Sequence, residues 1–338
     1  MSELLPWQRN AAAAALAARA RWPHALLLEG PRGNGKRALA LHFARALLCE
    51  SPSSDGAPCG RCPSCGYVDA GAHPDLRVVE PIERDEDGNE TPVEEIVVDR
   101  IRELIDFTQL SAHRQGAKVA IIIPAERMNA AAANALLKTL EEPPPATYLV
   151  LVSHQPGRLR ATLVSRCLRF LAPRPEPAVA AAWLAQQGVA QPELLLAQAG
   201  GAPLLAAALA DRAVQREREF LIDALSRPHR FSPVTLGARI DGYRKDERKA
   251  VLADVVYWLT TWVADLATSM NDGAPRFHPD CAGALAQLGG QVARLSLFRY
   301  YQMLLRQRGL LGHPLTPRLV AEAMLFEYQG LFTNEDGG

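Results

Sequence analysis

Residues 118–145 read KVAIIIPAERMNAAAANALLKTLEEPPP, and this stretch decides the fold. The apolar run 119–123 predicts a strand that is buried on both faces of a parallel sheet. Asn129 is a good helix N-cap residue and predicts a helix over 130–140, which the run of prolines ends. A second apolar run at 148–152 supplies the next strand. Strand, helix and strand in this order predict a parallel βαβ unit.

A glycine-rich loop lies upstream, between a predicted strand at 24–29 and a predicted helix that runs through Leu48. The loop reads GPRGNGKR over 30–37, which fits the phosphate-binding pattern G-x-x-x-x-G-K. The backbone N–H groups of such a loop, with the N-terminus of the following helix, cradle phosphates. The candidate nucleotide-binding residues are Gly30, Gly33, Gly35 and Lys36.

The position after Lys36 departs from this pattern. A Ser or Thr there supplies a hydroxyl ligand to Mg²⁺, whereas Arg37 cannot, and its bulk is expected where the metal would lie. Two interpretations remain open. Either the loop is vestigial and Lys36 is a solvated residue of the first helical turn, or the loop binds a nucleotide weakly.

Four of the six cysteines lie close together, in a segment rich in Ser, Pro, Gly and Asp that cannot order itself by burying apolar side chains. Four thiolates at this spacing can close a tetrahedral site, and Zn²⁺ favours four sulfur ligands in that geometry. Such a site has no open coordination position, so its metal would be structural. An iron–sulfur cluster and free thiols are the alternatives. The predicted zinc ligands are Cys49, Cys59, Cys62 and Cys65.

Two further motifs carry a family resemblance. The sequence ANALLKTLEEPP at 133–144, followed by SRC at 165–167, resembles the clamp-loader branch of the AAA+ ATPases. The resemblance is strongest over 24–169. It includes the cysteine segment, because bacterial members carry a zinc module at the end of the helix that follows the phosphate-binding loop.

The resemblance also shows what this chain lacks. Active members end the central strand in an acidic pair that positions Mg²⁺ and polarises the attacking water. Those places hold Ile123 and Pro124, whose side chains neither bind a metal nor take a proton. Glu126 matches a later position and is not assigned as a base. Ser153 stands where active relatives carry a γ-phosphate sensor, with a purely structural role as its alternative.

A fourth difference falls in the region that resembles the AAA+ lid. Active lids carry an arginine shortly after the turn at 200–203, and Leu204 and Leu205 stand there instead. Together with Arg37, Ile123 and Pro124, this predicts a chain without ATPase activity of its own and with weak or no ATP binding.

Arg166, in the SRC motif, is the predicted catalytic residue. In this family the arginine projects from one subunit into the ATP site of its neighbour. A guanidinium there is always charged and can stabilise the charge that develops on the γ-phosphoryl oxygens. The alternative is a local salt bridge. Cys167 is predicted to be a small buried residue, since no paired base accompanies it.

The resemblance predicts three domains. Residues 1–171 form an α/β AAA+ domain, like P-loop NTPases, with the zinc-binding insertion at 49–65. Residues 172–210 form a small helical lid, and residues 211–333 form an all-α collar that joins subunits into a ring. Long helices are predicted over 247–270 and 292–308. The second has an apolar side assigned to core and inter-subunit packing, formed by Leu295, Phe298, Tyr301, Leu304 and Leu305.

Composition limits the remaining classes of function. The chain has 338 residues and a formal net charge of zero, which argues against a protein that coats DNA generally. We expect no signal peptide and no transmembrane helix, since no apolar run reaches about 18 residues. The chain is therefore expected in the cytoplasm, where thiols stay reduced and clustered cysteines indicate a metal.

The resemblance implies a non-hydrolysing subunit of the bacterial DNA polymerase III clamp loader, within the holoenzyme. The implied partners are the gamma/tau motor subunits, the delta subunit, the sliding clamp and primer-template DNA, with no membrane. One alternative is a motor-type ATPase that acts in its own right. Another is a zinc-dependent DNA-binding module unconnected with replication, against which the balanced charge argues.

Overall fold

A computed structural model of the chain describes residues 4–84, 90–114, 116–311 and 316–333. The chain divides into two compact units, Met1–Val179 and Ala180–Gly338. Residues of the predicted lid, such as Leu184 and Leu196, share one apolar core with residues of the predicted collar, such as Trp258 and Leu259. The three-domain division stays a prediction.

The first unit contains a five-stranded parallel sheet in the order β2-β5-β6-β1-β7 and a separate antiparallel pair, β3-β4. Its strands are β1 (Ala25–Glu29), β2 (Leu76–Val79), β3 (Ile82–Arg84), β4 (Glu90–Pro92), β5 (Lys118–Ile122), β6 (Thr147–Ser153) and β7 (Leu168–Leu171). Its helices are α1 (Arg9–Ala17), α2 (Lys36–Leu48), α3 (Pro63–Asp69), α4 (Val98–Gln109), α5 (Ala130–Glu141) and α6 (Ala161–Val164), and α7 (Pro177–Gln186) crosses the boundary to the second unit.

The central strands of the sheet, β1, β5 and β6, are covered on both faces, which is why they are largely apolar runs. Alternate residues of β1 join two different cores. Leu26 and Leu28 pack with α1 and α2, whereas Ala25 and Leu27 pack with α4 and α5. The predicted βαβ unit is confirmed, and the side chain of Asn129 caps α5 by accepting a hydrogen bond from the Ala132 N–H at 2.9 Å.

Strand β7 was not predicted from the sequence. It pairs in parallel with β1 at the edge of the sheet and is largely exposed, so it lacks a continuous apolar run. Arg166 therefore precedes this last strand. An acidic segment at 83–90 reads ERDEDGNE. Its ends lie in the antiparallel pair β3-β4, and residues 85–89 lie outside the described residues.

The second unit is helical in its described residues. Its helices after α7 are α8 (Pro192–Gln198), α9 (Pro203–Leu209), α10 (Arg212–Leu225), α11 (Pro233–Ala238), α12 (Arg248–Ser269), α13 (Ala282–Gly289), α14 (Arg294–Leu310) and α15 (Pro317–Gly330). Among the described residues, α12 alone is a single helix long and apolar enough to cross a membrane. It buries Trp258 and Trp262 in the core of this unit, as a core helix does.

Helix α14 confirms the predicted helix, and of the apolar side assigned to core and inter-subunit packing Leu304 is buried in the core. The buried positions are Leu297, Tyr300 and Leu304, whereas Leu295 and Phe298 are each 59% exposed. Two apolar stripes at helical spacing run along this helix, and the sequence pattern does not say which one faces the core.

A buried polar network joins α10, α12 and the loop before α13. Asp265 accepts backbone hydrogen bonds from Arg276, Phe277 and His278 at 2.6–2.8 Å. The His278 ring contacts Arg218 Nη2 at 3.0 Å and Thr261 Oγ1 at 3.1 Å. Burial, and then the charge of Arg218, lower the pKa of His278 to about 3.

We expect this histidine to make the second unit acid-sensitive. Between pH 6.5 and about 3 the unfolded chain binds a proton at His278 that the folded chain does not bind. Stability is therefore lost as the pH falls through this window, by roughly 3 kcal/mol at pH 4.5. The pH dependence of urea unfolding, followed by tryptophan fluorescence, measures the loss, and His278→Gln should make it shallower. Equal slopes in both proteins would contradict this account.

Candidate functional site

The phosphate-binding loop lies at the carboxyl end of β1, with Lys36 as the first residue of α2. The Lys36 side chain is buried, since the residue is only 2% exposed. Its Nζ donates to the backbone oxygens of Gly30 at 2.7 Å and Pro31 at 2.5 Å. Burial lowers the pKa of Lys36 to about 8. The interpretation of Lys36 as a solvated residue was therefore wrong, because the loop's own carbonyls bind its ammonium group.

An N-terminal segment packs against this loop. The buried Gln8 side chain donates through Nε2 to the carbonyls of Asn34 at 3.0 Å and Gly35 at 2.9 Å. Trp7 Nε1 donates to the same Asn34 carbonyl at 3.2 Å. Gly35 has a φ of 82°, and a Cβ there would overlap the Leu5 side chain. The N-terminal segment thus contacts the loop through these three hydrogen bonds, and position 35 requires glycine.

Arg37 follows Lys36 in α2, and Ile123 and Pro124 follow β5. These are the positions at which the family resemblance leads us to expect metal ligands in active relatives. Arg37 points to the end of β2, where its Nε and Nη2 donate to the Glu80 carboxylate at 2.9 and 3.2 Å. Its guanidinium is therefore held by Glu80, a contact that the sequence interpretation did not include. Ile123 is buried directly after β5, and Pro124 follows it. Both side chains are hydrocarbon, so neither position offers a side-chain oxygen.

Glu126 and Ser153 hold the turn after β6. Glu126 Oε1 accepts hydrogen bonds from the backbone N–H groups of His154 and Gln155 at 2.9 and 3.1 Å, and Ser153 Oγ accepts from Gln155 at 3.2 Å. Burial, and then the charge of Lys36, lower the pKa of His154 to about 4. These contacts give Glu126 and Ser153 a structural role at the carboxyl ends of the parallel strands, where the glycine-rich loop also lies.

The four clustered cysteines come together as predicted. Their sulfur atoms lie within 4.8 Å of one another, and Cys49 Sγ is 3.9 Å from Cys62 Sγ. Tetrahedral zinc with Zn–S bonds of about 2.3 Å requires sulfur–sulfur distances of roughly 3.8 Å, so the donor set fits. Three backbone N–H groups, those of Cys59, Cys62 and Cys65, also donate to the preceding cysteine sulfurs at 3.3–3.4 Å. This cluster can hold a metal ion.

The cysteine segment is docked on the sheet domain at two places. Gly56 lies so close to α1 that a Cβ there would overlap the Leu16 carbonyl. Glu50 accepts hydrogen bonds from Ser64 Oγ at 2.7 Å and Arg114 Nη1 at 2.8 Å, which ties α3 to the loop before β5. The module is therefore part of the first unit.

Arg166 lies between α6 and β7, with its side chain 33% exposed. Its Nε donates to Glu141 Oε1 at 2.7 Å, its Nη2 donates to the same oxygen, and its Nη1 donates to the Thr162 carbonyl at 2.9 Å. The salt bridge considered as an alternative is thus present in this chain. Sequence reasoning had not singled out Glu141, the last residue of α5.

A second ion pair near this strand was also missed. Glu29 is buried at the end of β1, and its carboxylate accepts hydrogen bonds from Arg169 of β7 at 3.0 and 3.1 Å. An acidic residue that ends a buried strand is a signal that a cation lies nearby. In the second unit, the predicted lid position Leu205 packs against the apolar core.

A parallel sheet whose first strand runs into a glycine-rich loop and a helix N-terminus is the architecture of α/β proteins of the P-loop type. A family model described as "DNA polymerase III, delta subunit" matches residues 11–174. The DNA polymerase III subunit delta' of Pseudomonas aeruginosa is 44% identical over 231 residues, which cover 67% of each chain. The chain belongs to the family of DNA polymerase III delta' subunits.

Two further similarities complete the comparison. The subunit delta' of Escherichia coli is 34% identical over 277 residues, which cover 81% of this chain and 78% of that protein. A DNA polymerase III gamma subunit-related protein from Thermotoga maritima has a similar structure, with a TM-score of 0.48, 17% identity and coverage of 94% of this chain and 99% of that chain. A likeness at that level supports no conclusion about function.

Proposed function

We propose that this chain is the delta' subunit of a DNA polymerase III clamp loader and acts there as a subunit that does not hydrolyse ATP. The observation that carries this proposal is the side-chain chemistry at the phosphate-binding loop. In a chain of this family, Arg37, Ile123 and Pro124 leave no hydroxyl or carboxylate at the positions that hold Mg²⁺ and polarise water.

The catalytic contribution of the chain is then made in trans. Arg166 is part of the first unit, is accessible and is already held by neighbouring groups. We propose that its guanidinium enters the ATP site of an adjacent motor subunit. A planar cation with several N–H donors fits the charge that spreads over the γ-phosphoryl oxygens during transfer.

We propose that the cysteine cluster binds a structural zinc ion. Cys49, Cys59, Cys62 and Cys65 would fill all four coordination positions of the ion, which would stabilise the module without catalysis. A segment of this composition has little apolar surface to bury, so the metal supplies the stabilisation that a core would otherwise give.

The partners follow from the same proposal. They are the gamma/tau and delta subunits, the sliding clamp, and primer-template DNA reached through the complex in the cytoplasm. Residues 172–210 would act as the lid and residues 211–333 as the collar of the ring. The exposed Leu295 and Phe298 of α14 are an apolar surface on which a neighbouring collar can pack.

The isolated chain tests this proposal against the motor-type ATPase. We expect it to show no ATP hydrolysis above a protein-free blank, because its loop lacks the metal ligands and Lys36 Nζ is bound to the loop carbonyls. Malachite-green phosphate release, at protein concentrations that detect one turnover per hour, measures this. Hydrolysis by the isolated chain that Lys36→Met abolishes would contradict the proposal.

A further inference from the structure

The guanidinium of Arg166 is fixed by two elements of its own domain. Glu141 ends α5, and its carboxylate takes the Nε and Nη2 groups on one edge of the guanidinium. Thr162, in α6, takes Nη1 through its carbonyl at 2.9 Å. A half-exposed arginine side chain would otherwise sample many rotamers.

These contacts leave one donor unused. A guanidinium has five N–H groups, and three of them are used by Glu141 and Thr162. The second N–H group of Nη1 donates to Ser165 Oγ at 3.4 Å, which is long for a hydrogen bond. The remaining N–H group belongs to Nη2, at the tip of the side chain, and a charged N–H donor there suits an oxygen of a phosphoryl group.

We propose that Glu141 is the positioning residue of the arginine finger, and that it holds Arg166 so that the unused N–H group of Nη2 can engage the γ-phosphoryl group bound by the neighbouring subunit. The proposal rests on the proposed function of Arg166 in trans. Prolines 143–145 begin two residues after Glu141, and they restrict the backbone at the end of α5. The carboxylate is thus presented from a rigid element, as a supporting residue of a catalytic group should be.

The opposite role would be competition. A carboxylate close to a guanidinium can also compete with phosphate for it, and its removal would then speed hydrolysis. The two roles predict changes of opposite sign in the rate. Positioning predicts a slower reaction when Glu141 is removed. The guanidinium is then no longer oriented in advance, and the entropy cost of ordering it adds to the activation barrier.

The test uses the reconstituted loader with Glu141→Ala, Glu141→Gln or the control Glu142→Ala, the neighbouring exposed glutamate. We expect Glu141→Ala to lower the kcat of DNA- and clamp-stimulated ATP hydrolysis about tenfold with little change in KM. Glu141→Gln keeps an oxygen acceptor at the same place and should restore most of the rate. Glu142→Ala should match the wild type. Assembly, checked by gel filtration, should be unchanged throughout.

The double variant Arg166→Ala/Glu141→Ala separates positioning from other effects. If Glu141 acts through Arg166, removing it from the Arg166→Ala protein costs nothing further. An unchanged or faster rate in Glu141→Ala, or an additive loss in the double variant, would overturn the positioning role alone. If Arg166→Ala itself leaves the rate intact, the proposed function of Arg166 fails, and the role of Glu141 fails with it.

Discussion

Replacement of Arg166 by alanine is expected to reduce the ATPase rate of the assembled loader severely, by about tenfold or more. At the site that the arginine completes, the loss should be on the order of 10³-fold, the lower end of what arginine fingers contribute to kcat. The reason is electrostatic. The guanidinium is already oriented by Glu141 and Thr162, so it stabilises developing charge without a costly rearrangement.

The Arg166 experiment includes two comparisons. Arg166→Lys keeps the positive charge and loses the planar set of donors, so we expect it to recover only part of the rate. Arg102→Ala removes an exposed arginine of α4 that pairs with Asp99, and it should leave the rate unchanged. Assembly of each complex is checked by gel filtration. An Arg166→Ala loader that assembles and hydrolyses ATP at the normal rate would show that the arginine is structural.

Loss of the cysteine cluster should have the largest effect on stability. We expect Cys62→Ser and Cys65→Ser to abolish zinc binding, measured by elemental analysis of the purified chain. Each removes one of four sulfurs that converge within 4.8 Å. Structural zinc contributes roughly 10–16 kcal/mol of binding free energy in small zinc-finger peptides at neutral pH. The module should therefore become protease-sensitive in these variants and in chain treated with a chelator.

Two other cysteines of the chain serve as controls. Cys167 and Cys281 lie outside the cluster, and their replacement by serine should leave the zinc content unchanged. Iron with inorganic sulfide in the purified chain would favour the iron–sulfur alternative. Absence of any metal, with all thiols titratable, would favour free thiols and contradict the zinc proposal.

Much of the first unit could be predicted from local sequence. The βαβ unit, the Asn129 cap and the loop before α2 each depend on residues that are close together in the chain. The cysteine cluster was equally predictable, since its four cysteines fall within one short segment. In these cases the sequence signal for each element lies within the element itself, so no contact with a distant part of the chain is needed to recognise it.

What the sequence did not show depends on partners distant in the chain. The Glu29–Arg169 pair joins residues 140 positions apart, and Glu141 and Arg166 are 25 positions apart. Strand β7 is recognisable only once β1 offers it an edge to pair with. On α14, two apolar stripes fit helical spacing equally well, and only the packing of the neighbouring helices decides that Leu297 and Leu304 are buried.

The central claim, that this chain completes a neighbour's ATP site without using its own, is tested most directly by two single variants in parallel. Loaders are reconstituted with Lys36→Met or Arg166→Ala, and their DNA- and clamp-stimulated ATP hydrolysis is measured against the wild-type complex. The account predicts that Lys36→Met retains the wild-type rate within about twofold and that Arg166→Ala loses it. A severe loss in Lys36→Met with a normal rate in Arg166→Ala would contradict the account and make this chain a motor.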